Sequence, residues 1–510
     1  MALARNIATV SGATLISRVL GFARDAGIAA LFGSSPFAQA FFALLQLINF
    51  FRRLLAEGAI NGAFAPIWLR LRDGQNKFSR YVLMLTALAS LLLTGIAIFL
   101  APLLPRLIAP GFEDSLAALM FFYSLYALPY IAVAGPVAVI AAALNAEGRV
   151  GAVAIGTIAF NVVMLAAVAT AYSALRDDSV LAGVWLSAGI LVSGLAQLII
   201  VAAAWLWRGE RWSRSPIRVS KQTWQFFRRA APNLISAGIP QLKLLAGAAV
   251  ASSSAAGVSW LYYANRLYEL PLGVASIAIA VVLVPLIAKS VHRRRGREIA
   301  AAQSRAFEIA LGLALPAALA FAALAKPIAG ALFERGFFLP NDTIAVAAAL
   351  AAICGGLPGH VLEKVFAAIS FAHEDTKTPM LAALCGLAAA AAGALLLFPY
   401  YGHVGVAAAI AVSGWVGAVI LATILVRRRW LRLEKTAGPR LLRITAAAVV
   451  MALSLAAANE LVAPYAGDGA RRTAALVALI AFGLVIYLSA AQLFGVVRIA
   501  DLAAAARRRL

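Results

Sequence analysis

Fourteen apolar stretches, each long enough to cross a bilayer, leave this chain few ways to fold. They fall at about 4–32, 37–68, 80–103, 115–143, 151–174, 180–206, 228–250, 258–288, 305–325, 343–371, 378–399, 403–426, 443–463 and 473–497. Backbone in hydrocarbon must satisfy its own hydrogen bonds, so only helices and closed barrels span a membrane. A barrel strand needs about 9–11 residues, and these runs are far longer. The expectation is an all-α polytopic membrane protein with about 14 transmembrane helices. Of the 510 residues, 63% are hydrophobic, and the connections are too short for a sizeable soluble domain.

The net charge of +23 would suggest a nucleic-acid partner in a soluble chain. Here the basic residues lie mostly in short connections, so the charge reads as topology and no nucleic-acid partner is expected. With both termini placed in the cytoplasm, 31 of the 44 basic residues fall in cytoplasmic segments and six in outer ones. That asymmetry supports an even number of spans. Clusters such as Arg293-Arg294-Arg295 and Arg427-Arg428-Arg429 then read as contacts with membrane lipids. The N-terminal run is broken by Arg18 and Arg24 and reads as an uncleaved first helix rather than a signal peptide. Cys354 and Cys385 fall within spans and read as packing residues. His292, His360, His373 and His403 are scattered and suggest no metal-ligand set.

A weak repeat runs through the chain. Val192-Ser193-Gly194 recurs as Val412-Ser413-Gly414, and Arg53/Glu57 has a counterpart in Arg266/Glu269. Two pseudo-symmetric six-helix lobes, 1–207 and 208–430, fit that spacing, with 431–510 holding two further helices and a basic tail. Repeats with a midplane site between them are a common transporter plan.

Seven basic residues remain inside the spans, and they point to function. Each charge at the bilayer centre costs about 2.5–3.5 kcal/mol on insertion scales, so it is kept only where it meets protein or water. Thr14, Arg18, Gly21 and Asp25 share one helical stripe, and Arg24 flanks it. At 1.5 Å per residue Arg18 lies about 21 Å along its helix, near mid-membrane. The second span carries Gln39, Gln46, Asn49, Arg53, Glu57 and Asn61 on one polar face, with Arg52 beside them. Lys243 sits at mid-depth of its span, with Pro232 and Pro240 upstream, and Arg266 and Glu269 precede Pro271, where a bend is expected. Arg18, Arg24, Arg52, Arg53, Lys243 and Arg266 outnumber Asp25, Glu57 and Glu269. Some of these charges are expected to pair, and the surplus cations to meet an anion. Arginine suits the planar, multidentate recognition of phosphate oxygens. Glu363-Lys364 reads as a snorkelling pair.

No phosphate-cradling loop, zinc spacing or outer carboxylate pair of an enzyme is present in the sequence. Transport would therefore draw on a gradient, the membrane potential or downstream consumption. No cofactor is expected, and coupling to a monovalent ion or to the membrane potential is left open.

The segments SRVLGFARD (Ser17–Asp25), NFFRRLLAEGAINGAFAP (Asn49–Pro66) and GVSWLYYANRLYELPLGV (Gly257–Val274), with APGF (Ala109–Phe112) and DTKTP (Asp375–Pro379), resemble the motifs of the MurJ/MviN family of lipid II flippases. That family lies within the multidrug/oligosaccharidyl-lipid/polysaccharide exporter superfamily. The resemblance covers essentially the whole chain. It implies an inner-membrane transporter with two lobes around a central cationic cavity, and an apolar groove for the undecaprenyl tail formed by the last two helices. It implies lipid II as the substrate, moved from inner to outer leaflet, and the cell-wall synthesis machinery as a further partner. Family arginines map onto Arg18, Arg24, Arg52 and Arg266, with Asp25, Asn49, Arg53, Glu57, Lys243 and Glu269 as supporting polar groups. Gln39 and Gln46 are neutral where the family often has Asp and Lys, so an ion coupling or gate built on those positions stays open. The alternatives are another polyprenyl-pyrophosphate-linked glycan, a membrane glycosyltransferase, or a non-transporting scaffold. The last gives no reason for arginines inside spans.

Overall fold

The computed structural model describes residues 2–55, 60–71, 75–207, 221–292, 296–465, 467 and 469–496. Every regular element among them is helical. Eight helices, or nine counting one bent pair, are long and apolar enough to cross a membrane. The chain forms two compact units, Met1–Ser259 with Arg335–Phe338, and Trp260–Glu334 with Leu339–Leu510.

In the first unit α1 (Ala2–Phe32) matches the first expected span. The second span is realised as α2 (Pro36–Arg53) and α3 (Ile60–Trp68). There follow α4 (Gln75–Phe99), the short α5 (Leu104–Ile108), α6 (Asp114–Ala127) and α7 (Tyr130–Ala146). The expected run 115–143 is thus two helices, bent by 43°. Pro129 sits at the break because it has no N–H to continue the ladder. Then come α8 (Val150–Ala174), α9 (Ser179–Leu206) and α10 (Lys221–Ala251).

Aromatic and small residues hold these helices together. Phe64, Phe78 and Phe226 meet with ring centroids 5.1–6.4 Å apart, which joins α3, α4 and α10 over Val139 and Ala142 of α7. α10, whose sequence position lies past residue 207, therefore packs within the first unit. Asn161 Nδ2 donates to Ser17 Oγ at 2.9 Å, fixing α8 to α1 one residue from Arg18. Small residues let the backbones approach, the usual way helices associate where lipid removes the hydrophobic drive. Gly194 of α9 is one case, for a Cβ there would lie 2.5 Å from the Tyr130 ring. The Arg335–Phe338 segment docks on the end of α1. Phe337 N–H donates to Ala30 O at 3.0 Å, and both Gly33 and Gly336 take positive φ. A Cβ on either would come within 2.2 Å of the opposing carbonyl oxygen, so this turn accepts only glycine at both places.

The second unit contains most of α11 (Gly257–Ala278), then α12 (Val284–His292), α13 (Gly296–Ala323), α14 (Ala325–Phe333), α15 (Pro340–Cys354) and α16 (Leu357–Ala372). α-Helix continues through Pro271, and the departure from α geometry comes later, as a wide π turn over Ile279–Leu283. The two expected spans 378–399 and 403–426 lie on one element, α17 (Lys377–Arg427), interrupted at Gly402. α18 (Ala437–Val462) and α19 (Ala470–Leu493) complete the unit. Tyr487 donates to Gly312 O at 2.8 Å and Arg440 pairs with Glu308 at 3.1 Å, so both last helices are tied to α13. Arg472 pairs with Glu334 at 2.8 Å, tying α19 to the end of α14.

The DTKTP segment acts as a cap. Asp375 Oδ1 accepts from the N–H groups of Lys377 and Thr378, each at 3.0 Å, in the first turn of α17. Its Oδ2 accepts from the Thr378 hydroxyl and from Arg428, whose guanidinium also lies over the Trp430 ring. Burial pushes this carboxyl up, but the Thr378 and Arg428 hydrogen bonds and the Arg428 charge outweigh it and hold it below its ordinary value. A depressed carboxylate stabilises the fold fully above its unfolded value of about 3.9 and ceases to as pH falls through the folded value. Asp375→Ala should therefore cost roughly 0.5–2 kcal/mol at pH 7, the range for a lost cap. Thermal unfolding in detergent checks this. The gap between variant and wild type should persist down to about pH 4 and close below it.

Candidate functional site

The site residues fall in both units. In the first, α1 carries Arg18, Arg24 and Asp25. Arg24 and Asp25 are 7% and 0% exposed. Arg24 Nε and Nη2 both donate to Asp25 Oδ1, at 2.9 and 2.7 Å. Adjacent residues on a helix do not share a face, so the guanidinium must fold back along the backbone to make this contact. The expected pairing of Asp25 with a basic neighbour is the one observed, and it covers much of the cost of burying Arg24.

Arg18 is different. It is half-buried, near the middle of α1, and has no hydrogen-bond or ion-pair partner among the described residues. The α1–α8 contact at Ser17–Asn161 fixes the backbone beside it. A guanidinium presents five donors in a fixed fork. No carboxylate among the described residues occupies that fork.

On α2, Arg52 Nε reaches Asn49 Oδ1 at 3.4 Å, a long contact, and no carboxylate among the described residues pairs with Arg52. Arg53 is half-buried beside it. Glu57 lies outside the described residues, so its expected pairing with Arg53 does too. Gln39 donates from Nε2 to Ala255 O, holding the turn after α10 against α2. A neutral amide serves that contact, whereas a carboxylate would be repelled by the carbonyl. Lys243 of α10 is 6% exposed. Asp25 is the only carboxylate in α1, α2 and α10 combined. In these three helices basic residues thus outnumber acidic ones.

In the second unit, Arg266 Nη1 lies 3.4 Å from Glu269 Oε2, one turn along α11, with the two side chains 26% and 23% exposed. The spacing already implied this pair. It leaves both the guanidinium and the carboxylate part-exposed. Between them in sequence is Tyr268, buried, with its hydroxyl 2.9 Å from His360 Nδ1. Lys364 donates to Ser276 Oγ at 2.6 Å. The lysine of the expected Glu363-Lys364 snorkelling pair thus bonds to a hydroxyl on α11. The Tyr268–His360 contact escaped the sequence reading because it joins residues 92 apart.

Arg18 and Arg52, on apolar helices and without a carboxylate partner among the described residues, fit a membrane transporter for an anionic cargo, and the fold is one that known membrane transporters share. A multidrug resistance MATE family transporter of the MOP superfamily, in an inward-facing conformation, matches with a TM-score of 0.67 at 17% identity, over 83% of this chain and 98% of that one. A lipid II flippase MurJ in an inward closed conformation matches with a TM-score of 0.79 at 21% identity, over 95% and 98%. The family model for lipid II flippase MurJ matches residues 28–497. The probable lipid II flippase MurJ of Rhizobium meliloti is 38% identical over 97% of this chain and 94% of its own length. That of Rhizobium tropici is 35% identical over 97% and 95%. This chain belongs to the MurJ lipid II flippase family. The α1 residues Arg18, Arg24 and Asp25 lie upstream of the family-model match.

Proposed function

We propose that this chain carries lipid II from the inner to the outer leaflet of the bacterial cytoplasmic membrane by alternating access, with both termini in the cytoplasm. Arg18, Arg24, Arg52 and Arg266 take the pyrophosphate. Family membership supports the substrate, and the observation that carries the site is Arg18, half-buried and without a counter-ion among the described residues. Asp25 holds Arg24 in place, Asn49 steadies Arg52, and Glu269 releases Arg266 to the substrate and takes it back on release. Arg53, Glu57 and Lys243 set the surrounding charge. The exposed apolar residues of α18 and α19, among them Leu442, Leu453, Val477 and Leu484, suit contact with a polyprenyl tail or with lipid. The repeat reading supports two lobes that rock against each other.

The energy comes from differential contact with the two states and from the field. An inside-negative potential is worth about 2.3 kcal/mol per charge per 100 mV. It drives a lipid anion outward and draws an emptied cationic site back inward.

The test is made in a host depleted of its own flippase. Expression of this chain should restore labelling of lipid II by a membrane-impermeant probe and lower the accumulated total pool. Normal membrane abundance with no restored labelling would overturn the lipid II assignment and favour a different polyprenyl-linked glycan.

A further inference from the structure

The second unit holds an ionisable cluster, Tyr268 buried and His360 and Glu363 half-buried, that anion binding alone does not use. Tyr268 of α11 meets His360 of α16, and Glu363 lies one turn further along the same face of α16. His360 Nδ1 has two close partners with opposite demands. The Tyr268 hydroxyl, at 2.9 Å, can donate or accept. The Gly356 carbonyl, at 3.0 Å, can only accept. With a proton on Nδ1 the contact with Gly356 is attractive, and Tyr268 must turn its own proton elsewhere. Without it, Nδ1 takes the Tyr268 proton and the carbonyl contact turns repulsive. The geometry therefore holds two hydrogen-bonding states of one ring, chosen by where a proton sits.

α17 is shaped around this cluster. A Cβ on Gly414 would lie 2.5 Å from His360 Nδ1, and one on Gly417 2.8 Å from the Glu363 carboxyl carbon. Both side chains rest directly on the α17 backbone. Gly194 and Gly414 close the repeated Val-Ser-Gly motif, and each carries a ring from a neighbouring helix. In the first unit that ring is the phenol of Tyr130, and in the second it is the imidazole of His360.

The other ionisable groups near the ring can be named. α11 brings Tyr268 and Glu269, α15 ends in Cys354, and α16 itself carries Glu363 and Lys364. α13 meets α16 further along, at Phe307–Phe366, and its Arg305 and Glu308 are paired with each other, Glu308 also with Arg440. α12 carries Lys289, which is exposed. α17 presents the two glycines. Glu363, Glu269 and Lys364 are thus the charged groups that α11 and α16 bring to this cluster.

We propose that His360 is a proton-binding site coupled to the anion site at Arg266. A hydronium ion gives one proton to Nδ1 of the neutral, Nε2-protonated imidazole: the N–H bond forms as the O–H bond breaks, leaving water and imidazolium. Tyr268 then reorients; it lies on the turn of α11 that carries Arg266 and Glu269, on its buried face, whereas that pair is part-exposed. Proton and anion binding help each other, because an anion near this turn favours the charged ring and linkage makes the effect reciprocal. The consequence for transport rests on the flippase reading above, whereas the site itself does not.

The chain has four histidines, so 13C-histidine NMR of the protein in nanodiscs is tractable. The resonance lost in His360→Gln is that of His360. It should titrate between about pH 5 and 8, with its midpoint moving up when inorganic pyrophosphate is added. In proteoliposomes, lipid II translocation should change roughly fivefold or more across that range. His360→Gln should give a flat profile whatever its rate, and Glu363→Gln should move the profile to lower pH. A purely structural histidine would lower the rate at every pH and keep the profile's shape, which overturns the proposal. So does a His360 resonance that stays unchanged across the range or ignores pyrophosphate. If lipid II does not move at any pH in wild type, the flippase reading fails, and the pyrophosphate-linked midpoint still decides the site.

Discussion

Arg18→Ala should bring lipid II translocation to background while the protein inserts at normal abundance. The two halves of this result have separate causes. Arg18 has no partner among the described residues, so its loss strands no buried carboxylate there. Insertion scales charge an arginine at the bilayer centre about 2.5–3.5 kcal/mol, so the alanine helix enters more readily. Alanine is also the strongest helix former, and the Ser17–Asn161 contact is left in place. Transport loses more. A hydrogen bond to a charged group contributes about 1.5–3 kcal/mol, and a bidentate grip on phosphate makes two. That is a loss of roughly two to four orders of magnitude at the step that needs the grip. Arg18→Lys keeps the charge but not the fork and should fall between. Quantitative immunoblotting of membranes beside outer-leaflet lipid II labelling separates abundance from activity. Wild-type labelling in the alanine variant would remove Arg18 from the site.

The helices were legible because length and hydropathy alone decide them in a membrane. Each expected span lies on helix wherever the chain is described, and the surprises are breaks. Pro129 and the Gly355-Gly356 pair split two spans, whereas Pro271 left its helix intact and a π turn appeared further on. A proline announces a missing donor, but where the slack is taken up depends on neighbours. The site was legible only in its local parts. Arg24–Asp25 and Arg266–Glu269 follow from spacing along one helix. Ser17–Asn161, Gln39–Ala255 and Tyr268–His360 join residues 92 to 216 apart, and nothing in a single helix's pattern says which face meets which. The same limit hid the membership of α10. Its aromatic Phe226 fits a pocket made by Phe64 and Phe78, a fact of packing and not of position in the chain.

The second large effect concerns Arg24, where a structural and a binding role can be pulled apart. Arg24→Ala leaves Asp25 buried at 0% exposure without the guanidinium that donates to it twice, and Asp25→Ala leaves Arg24 in the same plight. Removing one member of a buried ion pair costs about 3–5 kcal/mol, so both single variants should be depleted from the membrane. Their inactivity would then say nothing about substrate. The informative protein is the double variant Arg24→Met with Asp25→Leu, because replacing a buried pair with apolar groups of similar volume is often neutral or stabilising. Its abundance should return to near the wild-type level, measured on the same membranes as the singles. If Arg24 serves only to neutralise Asp25, lipid II labelling returns with it. If Arg24 contributes donors to the pyrophosphate, labelling stays low despite normal abundance. The second outcome is expected. An arginine that merely answered Asp25 would be needless, since the helix would be more stable with neither charge, and α1 keeps both beside a third that answers nothing among the described residues.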